Sequence, residues 1–287
     1  MYQVIANAIS QHLEQPLSII DAQSLAGGSI NQVMLITLDN QQQYLLKTQS
    51  GRVAANTYRI EFNSLSLLSA AKALRVPQGL VYGEDFLVME YIQPGDRAAD
   101  WEETLGRQLA MLHLNTRGDD FGFACDNYLG TTVQMNDWQS SWLDFWREQR
   151  LGKQLQLYAE RAGKNALTVK GDRLMQTLDN LLATVQEPAV LLHGDLWSGN
   201  AMADQKGQPV IFDPAAYYGH REAEFGMMRL FGGFGPRCEA AYQEIWPFEA
   251  GYEARFRLYQ LYHELNHLNL FGHSYYAACM ASMDALL

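Results

Sequence analysis

Apolar positions along the first third of the chain follow two rhythms. Residues 2–14 place Val4, Ile5, Ala8, Ile9 and Leu13 at helical spacing. Three stretches of strand character follow at 17–25, 33–38 and 44–47, and the polar run 39–43 separates the last two as a hairpin requires. Over 58–74 the period lengthens again, with Phe62, Leu65, Leu68 and Ala71 on one stripe, and Val76 with Pro77 ends it. Two more strands are expected at 80–82 and 86–92, around Gly83, Glu84 and Asp85.

The character changes after Gln93, Pro94 and Gly95. Helical spacing is expected at Trp101–Asn115, 138–162, 174–185, 238–245 and Tyr252–Phe271, interrupted by a strand–loop–strand unit at 189–213. The pattern predicts an α+β chain in two lobes, a β-rich lobe over residues 1–92 and a mainly helical lobe over 93–287. No internal repeat or low-complexity tract is present.

Composition narrows the functional classes. With 287 residues, 48% hydrophobic, the chain is long enough for one large core or two lobes. A net charge of −11, from 32 acidic and 21 basic side chains, would repel a phosphate backbone, and no basic block offsets it, so nucleic acid is not an expected partner. Cys125, Cys238 and Cys279 are odd in number and widely spaced, which points to a reducing compartment. The first twenty residues lack a basic region and an unbroken apolar core, and no run of about 18 apolar residues occurs; a cytoplasmic protein without a membrane span is expected.

The chemistry sits in the 189–213 unit. The apolar run Ala189, Val190, Leu191, Leu192 leads into His193, Gly194, Asp195, Leu196, Trp197, Ser198, Gly199 and Asn200, and the apolar run Val210, Ile211, Phe212 ends on Asp213. Phosphoryl transfer needs a carboxylate to orient or deprotonate the attacking hydroxyl, plus a carboxylate and an amide oxygen to hold the metal that bridges the phosphates. In the kinase pattern an Asn follows the catalytic Asp by five residues and a metal-binding Asp ends the next strand. Asp195, Asn200 and Asp213 meet that spacing. A solvated polar loop explains a lone His-x-Asp, but not the fixed Asn and the strand-end Asp. Earlier in the chain, Gly27, Gly28 and Ser29 form a short turn where backbone N–H groups can approach phosphate, and Lys47 ends an apolar strand with Glu61 on the next helix as its natural partner. A phosphate loop of the Walker type is absent, since Gly163 and Lys164 are followed by Asn165.

These residues resemble the fructosamine/ketosamine-3-kinases, relatives of aminoglycoside phosphotransferases and choline kinases. The marks are the run 191–200, Asp213, Pro214 and Ala215 with Tyr218, Gly219 and His220, the run 231–234, and Asn266 with His267. The resemblance extends from about Gly27 to the C-terminus, and the Trp197, Ser198, Gly199 insert is its most specific part. It implies a protein-kinase-like fold using ATP and Mg²⁺, with Asp195 as catalytic base and Asn200 and Asp213 as metal ligands. It further implies that Lys47 and Glu61 position the ATP, and that the backbone of Glu90, Tyr91 and Ile92 meets adenine. Trp197 would stack on the sugar of a ketosamine, with His267 facing the acceptor. The implied acceptor is the 3-hydroxyl of a sugar joined to an amine, free or on a protein lysine, and the implied role is deglycation. A kinase for another amine-bearing acceptor, aminoglycoside- or choline-like, is the alternative. Two departures stand out: Ser29 replaces a Cys found in some members, and Asp213, Pro214, Ala215 lacks the Phe that protein kinases use for regulation.

One competing motif is present. His263, Glu264, Leu265, Asn266 and His267 match the HExxH pattern of zinc peptidases, with His273 where a third ligand would fall. Leu270 occupies the place of the required Gly, and only 20 residues follow His267, so a C-lobe helix with partly buried histidines is the better expectation. His113 reads as a core histidine. His220, Arg221, Glu222 and Glu224 read as a cluster that braces the catalytic loop. Trp138, Trp142 and Trp146 are expected to form one packing stripe.

Overall fold

The computed structural model describes residues 1–25, 32–48, 56–183 and 185–287. In chain order it forms α1 (Tyr2–His12), β1 (Ile19–Ser24), β2 (Gln32–Leu38), β3 (Gln43–Thr48), α2 (Thr57–Ala70), β4 (Gly79–Tyr82), β5 (Phe86–Glu90), β6 (Pro94–Gly95) and α3 (Trp101–Asn115). Then come β7 (Asn127–Leu129), β8 (Thr132–Gln134), α4 (Trp142–Phe145), a π-helical turn at Trp146–Leu151, α5 (Gly152–Ala162) and α6 (Ala166–Leu182). The remainder is β9 (Val190–Leu192), β10 (Ala201–Asp204), β11 (Pro209–Ile211), β12 (Tyr217–Gly219), α7 (Ala223–Leu230), α8 (Pro236–Ile245), α9 (Tyr252–Phe271) and α10 (Tyr276–Leu286). The α+β expectation holds. The chain divides into two compact units, Met1–Ala98 with Met202–Phe212, and Ala99–Ala201 with Asp213–Leu287.

The first unit is built on an antiparallel five-stranded sheet in the order β1-β2-β3-β5-β4. Ile36, Leu38 and Leu46 from its strands meet Ile5 and Ile9 of α1, four residues apart on one helical face, in a common apolar core. Phe86 and Val88 of β5 belong to the same core. Lys47 pairs with Leu87 across the β3–β5 ladder, which fixes a buried charged side chain within the sheet. A second small sheet, β11-β10-β6, returns a later stretch of chain to this unit, with Ile211 N–H donating to the Arg75 carbonyl at 3.0 Å.

The second unit is helical around the short antiparallel pair β9–β12, in which Leu192 faces Tyr217. The helices start later or earlier than the hydrophobic spacing alone suggests, for identifiable reasons. Ser141 caps α4 by accepting from the Asp144 N–H, so Trp138 stays outside the helix, 51% exposed and tilted against Tyr218. Trp142 and Trp146 do pack together, 5.3 Å between ring centroids. The helix expected from 174 begins at Ala166, where Asn165 and Thr168 form a reciprocal capping box. The helices α7 and α10 lie outside the segments that the spacing predicts. At the π turn, the buried Arg150 guanidinium lies over the rings of Phe145 and Tyr217, 4.4 and 4.1 Å from their centroids, and donates to Asn136 Oδ1 at 2.7 Å.

Candidate active site

In the first unit, Lys47 Nζ donates to Glu61 Oε1 at 2.5 Å, and Lys47 is 3% exposed. A buried ammonium needs such a carboxylate, because desolvation alone would drive it neutral. One turn before Glu61, the buried Tyr58 phenol is pushed up to about 12 by burial and by the Glu61 charge. At the end of β5, Glu90 turns its carboxylate to Arg75 Nη2, 2.6 Å away, and its N–H donates to the Gln78 carbonyl. Tyr91 and the buried Ile92 continue from it. Gly27, Gly28 and Ser29 lie outside the described residues.

In the second unit, fully buried β9 delivers His193, Gly194 and Asp195. Gly194 adopts φ +81°, and a Cβ there would come within 2.2 Å of the Ala215 carbonyl, so only glycine fits. The loop backbone is held from below by one buried carboxylate. Glu224 on α7 accepts from the His193 N–H at 2.6 Å and the Gly194 N–H at 3.0 Å. His193 Nδ1 accepts from the Asp195 N–H at 3.3 Å, which places the ring proton of a neutral His193 on Nε2.

Asp195 is partly buried, and its carboxyl is held well above the usual range, first by burial and then by the nearby Asp213 carboxylate. Asn200 commits its amide nitrogen to Asp195, donating to the main-chain carbonyl at 2.9 Å and to Oδ2 at 3.2 Å. That choice fixes the amide orientation, since an oxygen in the same place would repel both acceptors. Asn200 is thereby left with an acceptor oxygen for a cation. Asp213 takes φ +60°, a left-handed conformation that costs a non-glycine residue energy and aims its side chain where an extended residue would not. Among the described residues, no group of three or more His, Cys, Asp or Glu side chains forms a metal cluster. The Asn200 amide oxygen and the Asp213 carboxylate are hard oxygen donors of the kind that would suit Mg²⁺.

Beside the catalytic loop, the Trp197 ring occupies the space a Cβ at Gly199 would fill, 2.2 Å from the nearest ring atom, which explains the glycine of the insert. Trp197 meets Phe231 edge-on at 5.7 Å, and Phe231 meets His267 edge-on at 5.0 Å. Trp197 and His267, picked separately from the sequence, therefore share one neighbour. Among the described residues, the HExxH histidines belong to no group of three or more His, Cys, Asp or Glu side chains that could hold a metal. His263 is buried and driven down to about 3, chiefly by burial, while His267 Nδ1 lies 2.7 Å from the His263 carbonyl within the same helix. His273 stacks on Tyr276.

The cluster around His220 is structural, as expected. Arg221 donates twice to Glu187 at 2.7 Å, His220 Nε2 lies 3.1 Å from the same carboxylate, and Arg255 donates twice to Glu222. Burial works to raise the Glu187 carboxyl, but hydrogen bonds from His220 and Arg221 pull it down to about 2. Glu187 escaped sequence reasoning because nothing local marks an acid that pairs 34 residues away. His113 is fully buried, with Nδ1 2.8 Å from the Tyr242 hydroxyl.

A β-rich unit with a buried Lys–Glu pair and a helical unit with this carboxylate–amide loop define a protein-kinase-like phosphotransferase. A choline kinase from Streptococcus pneumoniae shares the fold, with a TM-score of 0.67 at 16% identity over 99% of this chain and 98% of that one. The comparison narrows with a candidate fructosamine-3-kinase from Haemophilus somnus, which superimposes with a TM-score of 0.89 at 28% identity over 100% of this chain and 98% of that one. The chloroplastic protein-ribulosamine 3-kinase of Oryza sativa is 41% identical over 276 residues, covering 94% of this chain and 79% of the relative. The fructosamine kinase family model matches residues 1–287, and the chain belongs to that family. It is a phosphotransferase acting on a hydroxyl group, and its family implies ATP as the donor.

Proposed function

We propose that this enzyme uses ATP and Mg²⁺ to phosphorylate the 3-hydroxyl of ketosamines, the ribulosyl or fructosyl adducts of amines and lysine side chains. The observation that carries the reading is the loop at Asp195: a carboxylate raised by burial and by Asp213, with Asn200 bound to it through nitrogen and not oxygen. In this reading the 3-hydroxyl oxygen attacks the γ-phosphorus and its proton passes to Asp195. The bond to the β–γ bridging oxygen breaks, and ADP leaves. Asn200 and Asp213 would hold the divalent ion, which when bound would supply charge neutralisation on the phosphates. Lys47, fixed by Glu61, orients the α- and β-phosphates, and the backbone of Glu90 to Ile92 receives adenine. The first unit thus serves the nucleotide, and the second serves catalysis and the acceptor. Trp197 and His267 contact the ketosamine. Phosphate leaves more readily than hydroxide, so the 3-phosphate can eliminate and free the amine, which amounts to deglycation. Three free cysteines suit a reducing, cytoplasmic setting.

The test is ATP consumption with ribulosyl- and fructosyl-lysine beside aminoglycosides and choline. Turnover confined to the ketosamines is expected. Asp195→Asn should lower kcat by about 10³-fold while ATP affinity stays within about threefold. Preference for an aminoglycoside or choline, or normal turnover in the variant, would overturn the assignment.

A further inference from the structure

The contacts of Trp197 do not end at Phe231 and His267. The row of rings continues from His267 to Phe271, 5.5 Å away, and to Tyr275, 5.1 Å away, in the 3-10 turn His273–Tyr275 that follows α9. It starts two residues past Asp195 and stays within the second unit. Phe231 and Phe271 are 41% and 62% exposed, and are the phenylalanines most open to solvent among the described residues. Exposed aromatic rings at one place are unusual enough in a folded chain to ask what covers them.

Two details make this more than a wall. The Phe231 loop is tied to the catalytic loop: Gly232 and Gly233 take φ +66° and +90°, and a Cβ at Gly233 would lie 2.3 Å from Ser198 Cβ. The ring of Phe231 is therefore set relative to the residues following the base. The second detail is the His267 tautomer. Its Nδ1 faces a main-chain carbonyl, which can only accept, so Nδ1 carries the hydrogen. Burial lowers the pKa of the ring, which leaves it neutral with Nε2 as an acceptor. Electron-rich ring faces beside one lone pair, on a chain of net charge −11, suit a positively charged N–H donor with an aliphatic stem.

We infer that the ring row formed by Trp197, Phe231, His267, Phe271 and Tyr275 is the subsite for the amine side of the acceptor, where it takes the secondary ammonium and the carbon chain attached to it. Phe231 and Trp197 lie nearest the sugar, and Phe271 and Tyr275 take the more distant part of the carrier. The inference rests on the ketosamine reading above and deepens it. In this arrangement the rings, more than the sugar contacts, distinguish a glycated amine from a free sugar. A carrier that projects outward along exposed Phe271 can be a lysine on a protein surface.

The experiment compares two ligands on unaltered enzyme and on Phe231→Leu and Phe271→Ser. One is ribulosyl-lysine, measured by its KM. The other is its N-acetylated analogue, uncharged at the sugar-bearing nitrogen, measured by competition. Phe231→Leu should raise the KM for the ammonium ligand about five- to tenfold and weaken the uncharged analogue less than about twofold, with the KM for ATP unchanged. Phe271→Ser, at an exposed position that tolerates substitution, should raise the KM for ribulosyl-lysine about two- to threefold. Equal losses for both ligands, or unchanged KM values in both variants, would overturn the subsite. If the unaltered enzyme turns over no ketosamine at all, the reading beneath the proposal falls, which is a distinct result from unchanged selectivity in an active enzyme.

Discussion

The two units handle a buried charge in opposite ways. Lys47 has a counter-charge built in: the Glu61 carboxylate, at 2.5 Å, carried by the adjacent helix. Asp195 has the reverse arrangement. Its neighbours are a second carboxylate and, further off, the carboxylate of Glu224, and both raise its pKa. The backbone around Asp195 is held through Glu224, His193 and Asn200, while the carboxylate itself is met by a neutral donor, the Asn200 amide at 3.2 Å. Under the proposed roles, a cation that holds phosphates can be neutralised in advance, whereas a carboxylate that takes a proton gains from having carboxylates and not a cation beside it until substrate arrives.

This contrast makes the Asp195 side the more sensitive to charge removal, and in a specific direction. Asp195→Asn, beyond its loss of about 10³-fold in kcat, should raise the melting temperature when measured in chelator at neutral pH. A carboxyl whose folded pKa is raised binds its proton more tightly in the folded state. The native protein is therefore most favoured when Asp195 is protonated and loses that contribution as pH rises through the folded value; the neutral Asn escapes the loss. A melting temperature equal to or below the parent's would show that Asp195 is compensated after all.

Lys47→Met should lower kcat/KM for ATP by about 100-fold, as removal of one preorganised donor typically does. An unchanged ATP profile would mean the Lys47–Glu61 pair only holds the helix to the sheet.

Glu224→Gln should cost about tenfold in kcat, because an amide presents a donor to one of two backbone donors. It should also move the acid limb of the kcat profile to lower pH, since Asp195 in the proposed role of base acts ionised and loses one of the charges that raise its pKa. A drop in kcat with the limb unmoved would reduce Glu224 to a scaffold residue. At the small end, Arg75→Ala breaks a pair that is 48% exposed at the arginine, and should change stability by less than about 1 kcal/mol in a denaturant titration.

Much of this was readable from local pattern. The strands of the first sheet, the ends of α9 and the order His193, Asp195, Asn200, Asp213 all lie in short, strongly patterned segments. The bracing role expected of the 220–224 cluster is met most directly by Glu224. Sequence reasoning failed where the deciding partner was distant or polar. Trp138 has the right spacing to join Trp142 and Trp146, but the Ser141 cap starts the helix after it. Asn165 and Thr168 announced a helix start that apolar spacing placed eight residues later. Phe231 was visible as part of a family mark, yet its ring contacts with Trp197 and His267 join three elements far apart in the chain. The HExxH match shows the opposite error: a motif with correct spacing that, among the described residues, gathers no group of three metal-ligating side chains.

The strands β10 and β11 have a practical corollary. Met202–Phe212 belong to the first unit, where Asp204 pairs with Pro94, the Gly207 carbonyl accepts from the Ala98 N–H, and Val210 bridges Arg75. A fragment ending near Ala98 would lose the strands that finish its edge, and expression of either half by itself should yield an insoluble product. Anyone seeking the first unit of this enzyme as a separate module would have to graft the 202–212 hairpin back on through a designed linker.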